Sequence, residues 1–311
     1  MDGAAEPRPR ASRLLRFAIL GEPSGWHVRR LATALADRGH RVDVVRWAEL
    51  AAGVDAGGDR FAPEPLDVAD VVAVRGMPGG PDPHDRLEEV VFRLDVLGRL
   101  AARGTPVVNG PRALEAAIDK YLSLSRLAAA GLPVPRTMVV QDAATAVRAW
   151  SDLGGDCVVK PLFGSRGRGV ERLPDAAALE RWLATDAGGS ARVRYLQEFV
   201  PHGGWDARLL VVGGNVSAMR RLAPKGDWRT NISLGGRGEA FTPPTAWTDL
   251  ARRAAEVLEA EVVGVDLAPA PGGPVVLEAN AVPGWRGLEA ATGTDVAGLV
   301  ADHLESRVTA G

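Results

Sequence analysis

The sequence predicts a chain of mixed α/β and α+β class, with a doubly wound α/β unit at the N-terminus and antiparallel layers behind it. Three observations carry this reading. Short apolar runs alternate with helix-period segments through the first third of the chain, the pattern of a parallel sheet covered by helices. Further on, DARLLVVGGNVSAMRRL holds two β-rich runs around Gly213, Gly214 and Asn215, a hairpin signature. Near the end, VVGVDLAP and GPVVLEAN read as apolar strands that nonetheless carry acids.

Element by element, RFAILGE (16–22) is a strand and HVRRLATALADRGH (27–40) a helix stopped by glycine. RVDVV and DVVAVRG (70–76) are strands, PHDRLEEVVFRLDVLGRLAARG (83–104) an amphipathic helix, and TPVVN a strand. The first turn, GEPSG, lacks the G-x-G-x-x-G fingerprint, so no dinucleotide is assigned to it. As the first βα turn, GEPSGWHV (21–28) is expected to face an acceptor instead. One or two helices fill 110–131, and LPVPRT is an extended connector. A strand at 157–160, a helix at 175–184, the strand RYLQEFV, a helix over 245–259 and a last helix near 295–305 complete the chain, which shows no internal repeat.

Composition narrows the classes. A formal charge of -2 and a pI near 6.2 offer no basic field for nucleic acid. Cys157 is the only cysteine, which excludes an internal disulfide framework and a cysteine-based zinc site and suits a cytoplasmic protein. No apolar run approaches the ~20 residues of a membrane span, and MDGAAEPRPRASR has no signal-peptide core; residues 1–13 are expected to be a disordered tail. Among 37 Lys plus Arg, only Lys120, Lys160 and Lys225 are lysines. Lysine is a compact point charge suited to phosphate oxygens, so its retention in an arginine-rich chain marks those places.

Two constellations bear chemistry. Glu278 and Asn280 are two apart on a strand and project from one face, and Asp266 on the preceding strand is placed to stand beside them. Two carboxylates and an amide oxygen are hard ligands of the kind Mg²⁺ takes, with phosphates completing the octahedron. In CVVKPLFGSRGRGV (157–170) the lysine precedes the glycines, so this is not a P-loop. Gly164, Gly167 and Gly169 make a flexible flap whose N–H groups can close over phosphates that Lys160 also reaches. The five histidines form no i, i+4 or triad-like set and are read as incidental.

With IDKYLSLSRLAAAGLPVP, VVKPLFGSRGRGV, LQEFV, DARLLVVGG, MRRL, GDWRTN, VGVDL and VVLEANAVPGWRGLEAATGTDVAG in order from about Val108 to Leu304, the chain resembles the RimK-like branch of the ATP-grasp fold, the glutamate ligases. The resemblance implies an N-terminal α/β domain (14–108), a small lid subdomain (109–195) and a larger subdomain with the metal site (196–306). It implies that Lys120 and Lys160, with Gly164, Ser165, Gly167 and Gly169, hold ATP phosphates. Glu198 and Phe199 would line the adenine pocket and Asp206 approach the ribose. Asp266, Glu278 and Asn280 would bind Mg²⁺ or Mn²⁺, as two ions, and Arg220, Arg229 and Asn231 would face the transferred phosphoryl group. The implied reaction joins L-glutamate to a small-molecule carboxylate through an acyl phosphate. Other amino acids, a protein C-terminus, or a silent ATP-binding module are the rival readings. The family pattern leaves a homo-oligomer open.

The chain departs from that pattern on the substrate side: PHGGW is one residue shorter and APKGD one longer, which leaves acceptor identity open. Trp26, Trp205, Trp228 and Trp285 lie beside loops or motifs. They are either core residues or platforms for a flat aromatic acceptor, the second reading favouring a pterin or deazaflavin-like cofactor.

Overall fold

The computed structural model describes residues 13–79, 87–163, 167–185 and 193–309. The tail 1–12, the first residues of the helix expected at 83–104, and Gly164 and Ser165 lie outside them.

The N-terminal layer is a parallel sheet in the order β2-β1-β5-β6, formed by β1 (Arg16–Leu20), β2 (Arg41–Val45), β5 (Val71–Val74) and β6 (Val107–Val108). Helices α1 (Trp26–Ala36) and α3 (Leu87–Ala102) provide crossovers, as strand–helix alternation predicts. Between β2 and β5 the chain adds a hairpin, β3 (Ala51–Asp55) with β4 (Gly58–Ala62), and the short α2 (Glu64–Asp67). Sequence patterning does not reveal this hairpin because every β3 residue is exposed, so no apolar alternation is written into it.

Two helices follow, α4 (Pro111–Ile118) and α5 (Lys120–Ala129), divided at Asp119, whose carboxylate accepts from the N–H groups of Tyr121 and Leu122. A small antiparallel sheet comes next, in the order β7-β10-β8-β9, from β7 (Thr137–Val140), β8 (Cys157–Lys160), β9 (Glu171–Leu173) and β10 (Arg194–Glu198). Helices α6 (Ala143–Asp152) and α7 (Ala176–Leu183) cover it, capped by Asp142 and Asp175. Its core is its own: Cys157, Val159, Leu173, Leu179, Trp182 and Leu196 pack together.

The third layer is a five-stranded antiparallel sheet, β13-β12-β11-β14-β15. The expected hairpin is β11 (Trp205–Val212) with β12 (Asn215–Leu222), closed by Gly213 and Gly214 at φ 53° and 87°. Both turn residues sit at positive φ, the two-residue geometry that glycine supplies without strain. Beside them stand β13 (Arg237–Ala240), α8 (Thr245–Val257), β14 (Val262–Ala268), β15 (Val275–Asn280), α9 (Arg286–Thr292) and α10 (Val296–Thr309).

The C-terminal helix closes the molecule. Val296, Val300 and Leu304 of α10 join Val28, Leu31 and Leu35 of α1 in one apolar cluster, beside Leu210 and Val212 of β11. At the layer boundary Asn109 is 1% exposed and fully used. Its Nδ2 donates to the carbonyls of Val262 (2.6 Å) and Ala281 (2.5 Å), and its Oδ1 accepts from the N–H groups of Glu261 (2.7 Å) and Val262 (2.9 Å).

Asn109→Ala strands these buried backbone groups. It is expected to lower unfolding stability by about 2–4 kcal/mol. Urea denaturation checks this, an unchanged midpoint counting against it.

Candidate active site

The register of the large sheet builds the acid cluster. Asp266 on β14 pairs directly with Glu278 on β15, and Gly264 pairs with Asn280; an irregularity after Asp266 sets Leu267 against Val276. Asn280 accepts from the Val282 N–H through Oδ1 (2.9 Å). Among the described residues the Glu278 side chain makes no hydrogen bond and no salt bridge, its backbone being paired in β15.

Asp266 is different, because it sits in a strand buried over its whole length. Arg208, its partner across β11, donates from Nε and Nη2 at 2.5 and 2.6 Å. Arg221 of β12 lies 2.9 Å from Asp266 and grips Asp206 at 2.7 and 2.5 Å. Burial alone would raise the Asp266 pKa, but the two guanidiniums outweigh it and hold the carboxyl down to about 2. Thr230 Oγ1 also donates to Asp206 (2.7 Å).

Opposite these acids stand two lysines. Lys160 ends β8 and donates to Gln197 Oε1 at 2.8 Å; Lys120 opens α5, with Nζ 3.4 Å from the Leu162 carbonyl. Burial pushes both pKa values down and the charge of Glu278 opposes it in both cases. Lys120 also depresses Lys160. Two buried cations within reach of one another and of Glu278 form a place for an oligophosphate, whose oxygens relieve the repulsion.

The donor chemistry fits a divalent cation. Asp266, Glu278 and Asn280 offer oxygen atoms on one face, and no salt bridge to Glu278 forms among the described residues. Asp266 already serves two arginines, so the cation needs phosphate oxygens to complete its shell.

Other expected residues fall as follows. Glu198 accepts from the Arg136 backbone N–H (2.9 Å) and Nε (2.6 Å), so its side chain is tied to the strap before β7. Phe199 is packed between Arg172, 3.6 Å above its ring, and Trp228, edge-on at 5.6 Å. Gly167 at φ 70° lies against the GDWRTN loop: a Cβ there would stand 2.7 Å from Asn231 Oδ1, so the flap's approach requires glycine. Arg229 is held by Asp227 at 2.8 Å, which raises the arginine and depresses the acid to about 2. Gly169 sits at φ 66°, against Pro161.

Two expectations need correction. Arg220 pairs with Ala207 and Glu239, whereas Arg221 pairs with Asp206. Alternation therefore turns Arg220 to the far face, where it donates to Glu239 (2.8 Å) over Trp205. Arg221 is the arginine on the face of Asp266 and Glu278. The loop tryptophans are also not a common platform. Trp285 is 1% exposed, and Trp205 stacks on Trp247 at 5.8 Å with Phe241 alongside.

Sequence reasoning missed Arg208, Arg221 and Gln197. One signal was present: an acid inside VVGVDLA requires buried counter-charges, and the flanking strands DARLL and MRRL supply arginines. Two of the histidines serve as struts, His40 to Glu305 (3.0 Å) and His303 to Glu261 (2.8 Å).

Comparison with known proteins identifies the family of the fold. The family model of the RimK-like ATP-grasp domain matches residues 117–304. The chain is 30% identical, over 92% of its length and 97% of the relative's, to a tetrahydromethanopterin:alpha-L-glutamate ligase of Methanosarcina acetivorans. It is 33% identical to a probable alpha-L-glutamate ligase of Stenotrophomonas maltophilia, covering 94% of this chain and 98% of the relative. Among solved structures it is similar to the ATP-grasp ligase PsnB complexed with minimal precursor, at TM-score 0.75 and 27% identity over 94% and 99% of the two chains. A RimK domain protein of Sphaerobacter thermophilus gives TM-score 0.69 at 27% identity, covering 93% and 99%.

Asp206→Ala leaves the buried Arg221 short of its main partner. The expected outcome is a loss of about 3–5 kcal/mol in chemical denaturation. A residue acting only on the ribose would leave stability unchanged and raise the ATP KM alone.

Proposed function

Since the chain belongs to the RimK-like ATP-grasp family and is a ligase of that fold, we propose that it adds L-glutamate to the carboxylate of a small-molecule, pterin-like acceptor while ATP becomes ADP. The observation that carries the catalytic half is the facing pair: Lys120 and Lys160 on one side, Glu278 with Asp266 and Asn280 on the other. The choice of glutamate and of a pterin-like acceptor is supported by the relative from Methanosarcina acetivorans.

A carboxylate is a poor acyl donor. Its oxygen attacks the γ-phosphorus, the bond to the β-phosphate oxygen breaks, and ADP leaves with that electron pair. The glutamate amine then attacks the acyl carbon, the C–O bond to phosphate breaks, and the amide nitrogen loses its proton. Lys120 and Lys160 would hold the phosphate oxygens as point charges, beside the backbone of Gly167 and Gly169. Arg221, Arg229 and Asn231 line the side on which charge develops, the role expected of Arg220 passing to its neighbour. Asp266, Glu278 and Asn280 would hold Mg²⁺, as one or two ions, which screens the phosphoryl oxygens. Positioning and fixed charge carry such a transfer, and no protein nucleophile is required. Glu198, Phe199 and the neighbouring backbone would frame the adenine.

A second reading has its own support. PsnB has been solved with precursor peptide, so a peptide carboxylate is the rival acceptor.

The test is ADP release from Mg-ATP with L-glutamate and, in turn, tetrahydropterin cofactors and carboxylate-bearing peptides. ADP formed only with glutamate and a pterin carboxylate, and reduced about a hundredfold or more in Glu278→Ala, is the expected result. Turnover with a peptide alone, or with another amino acid, replaces the reading.

A further inference from the structure

The N-terminal sheet has a switch point that the ATP site does not use. In the order β2-β1-β5-β6 the chain leaves β1 towards β2 and then returns to the other side at β5. Doubly wound sheets take ligands in the crevice outside the carboxyl ends of the two strands that flank such a point. Here those ends are Gly21, which opens GEPSG, and the Arg75-Gly76 pair after β5. Both glycines are forced by close approach: a Cβ on Gly76 would stand 3.0 Å from Trp47 Nε1 and 3.5 Å from Gly21 Cα.

The crevice holds hydrogen-bond donors with nothing to accept from them. Five buried side-chain polar atoms lack a partner among the described residues, and three belong here: Trp47 Nε1, Arg75 Nε and Trp285 Nε1. Arg75 lies 4.1 Å over the Trp285 ring, and its Nη2 donates to the Pro283 carbonyl at 2.7 Å. No carboxylate pairs with it among the described residues, and burial pushes its pKa down with no acid to raise it back. A buried guanidinium without a counter-ion is costly, and a cluster made only of donors calls for an anion.

The setting adds direction. Helix α1 starts at Trp26 with Gly25 as its cap and no side-chain cap bond, so its N-terminal end favours negative charge. The wall across from β5 is the segment just past the acid strand: Val282 bonds Asn280, and Pro283 bonds Arg75. The crevice therefore adjoins the Glu278 and Asn280 end of β15.

We propose that this crevice is a substrate site in which Arg75, with the Trp47 and Trp285 indole N–H groups, receives a carboxylate of one of the two ligase substrates. The inference rests on the ligase reading above. It leaves two sources for the carboxylate, the incoming amino acid and the acceptor, and the experiment separates them.

The measurement is calorimetric titration of the full chain with Mg²⁺ and the non-hydrolysable analogue AMPPNP present. The probes are the common L-amino acids, glutamate first, and pterin-6-carboxylate; the proteins are wild type, Arg75→Gln and Arg75→Lys. Arg75→Gln keeps a donor for Pro283 while removing the charge, and unchanged AMPPNP affinity shows that the nucleotide half is intact. The expected result is about ten- to a hundredfold weaker binding of one probe in Arg75→Gln, with partial recovery in Arg75→Lys. If that probe is glutamate, the site takes the amino acid; if it is pterin-6-carboxylate, the site takes the acceptor. Arg75-dependent binding of a different amino acid keeps the site and removes the glutamate reading. Equal binding by wild type and Arg75→Gln, or no carboxylate bound by wild type, overturns the site while leaving the ligase reading to its own test.

Discussion

A carboxylate in the middle of a fully buried strand has to be neutralised, and Asp266 is neutralised by two arginines on two other strands. That requirement fixes the large sheet. Arg208 faces Asp266 across β11, and Arg221 faces Asp206 across β12 while reaching Asp266. Slipping any of these strands by one residue would turn its charge to the opposite face and leave the others bare. Such a network adds little net stability, since desolvation offsets the Coulombic gain, but it strongly penalises wrong registers. With β14 fixed in this way, the pairing of β15 places Glu278 opposite Asp266 and Asn280 two residues on. Among the described residues Glu278, on the outer strand, has no arginine of this kind, and on the proposed reading a cation and phosphates would complement it.

How far this was legible follows from what each residue type announces. Glu278, Asn280 and Asp266 stood out because acids in apolar strands are anomalous, and strand alternation alone put two of them on one face. Lys120 and Lys160 stood out against the arginine background. Arg220 and Arg221 could not be separated in the same way: adjacent arginines differ only by strand parity, and parity is set by Asp206 across the hairpin. The β3–β4 hairpin left no trace because its side chains face solvent, and α6 is marked mainly by Asp142 bonding the Thr145 N–H. Of the two readings of the tryptophans, Trp285 and Trp205 follow the core one, because proximity to loops in sequence says little about burial. Trp285 sits beside a loop and is nearly inaccessible, packed edge-on to His27.

The lysine pair shows how the two α+β layers share one task. Lys160 belongs to a sheet with a separate core, and Lys120 to a helix that packs on the larger unit. Lys160 donates to the neutral Gln197, and both lysines feel the charge of Glu278. On the proposed reading, their long stems and depressed pKa values make them responsive to an anion arriving between the layers. The glycine flap beside them approaches Asn231, so the small layer also touches the loop carrying Arg229.

The N-terminal layer is tied to the same strand end by a different set of bonds. Asn109 holds the carbonyls of Val262 and Ala281, and Arg75 holds that of Pro283, so the exits of β5, β6 and β15 form one unit. On the proposed reading, a ligand seated over β1 and β5 would be registered against Asn280 through Pro283 and Trp285. The residues proposed for phosphates and metal would keep their charge and spacing for every acceptor, whereas the walls of the N-terminal crevice would answer to the shape and charge of the molecule placed there. The PHGGW turn runs up to the first residue of β11 and the APKGD loop follows β12; these departures from the family pattern contain none of Arg208, Arg221 and Asp266. On the proposed reading, acceptor choice would therefore vary while the buried register keeps those charges in place.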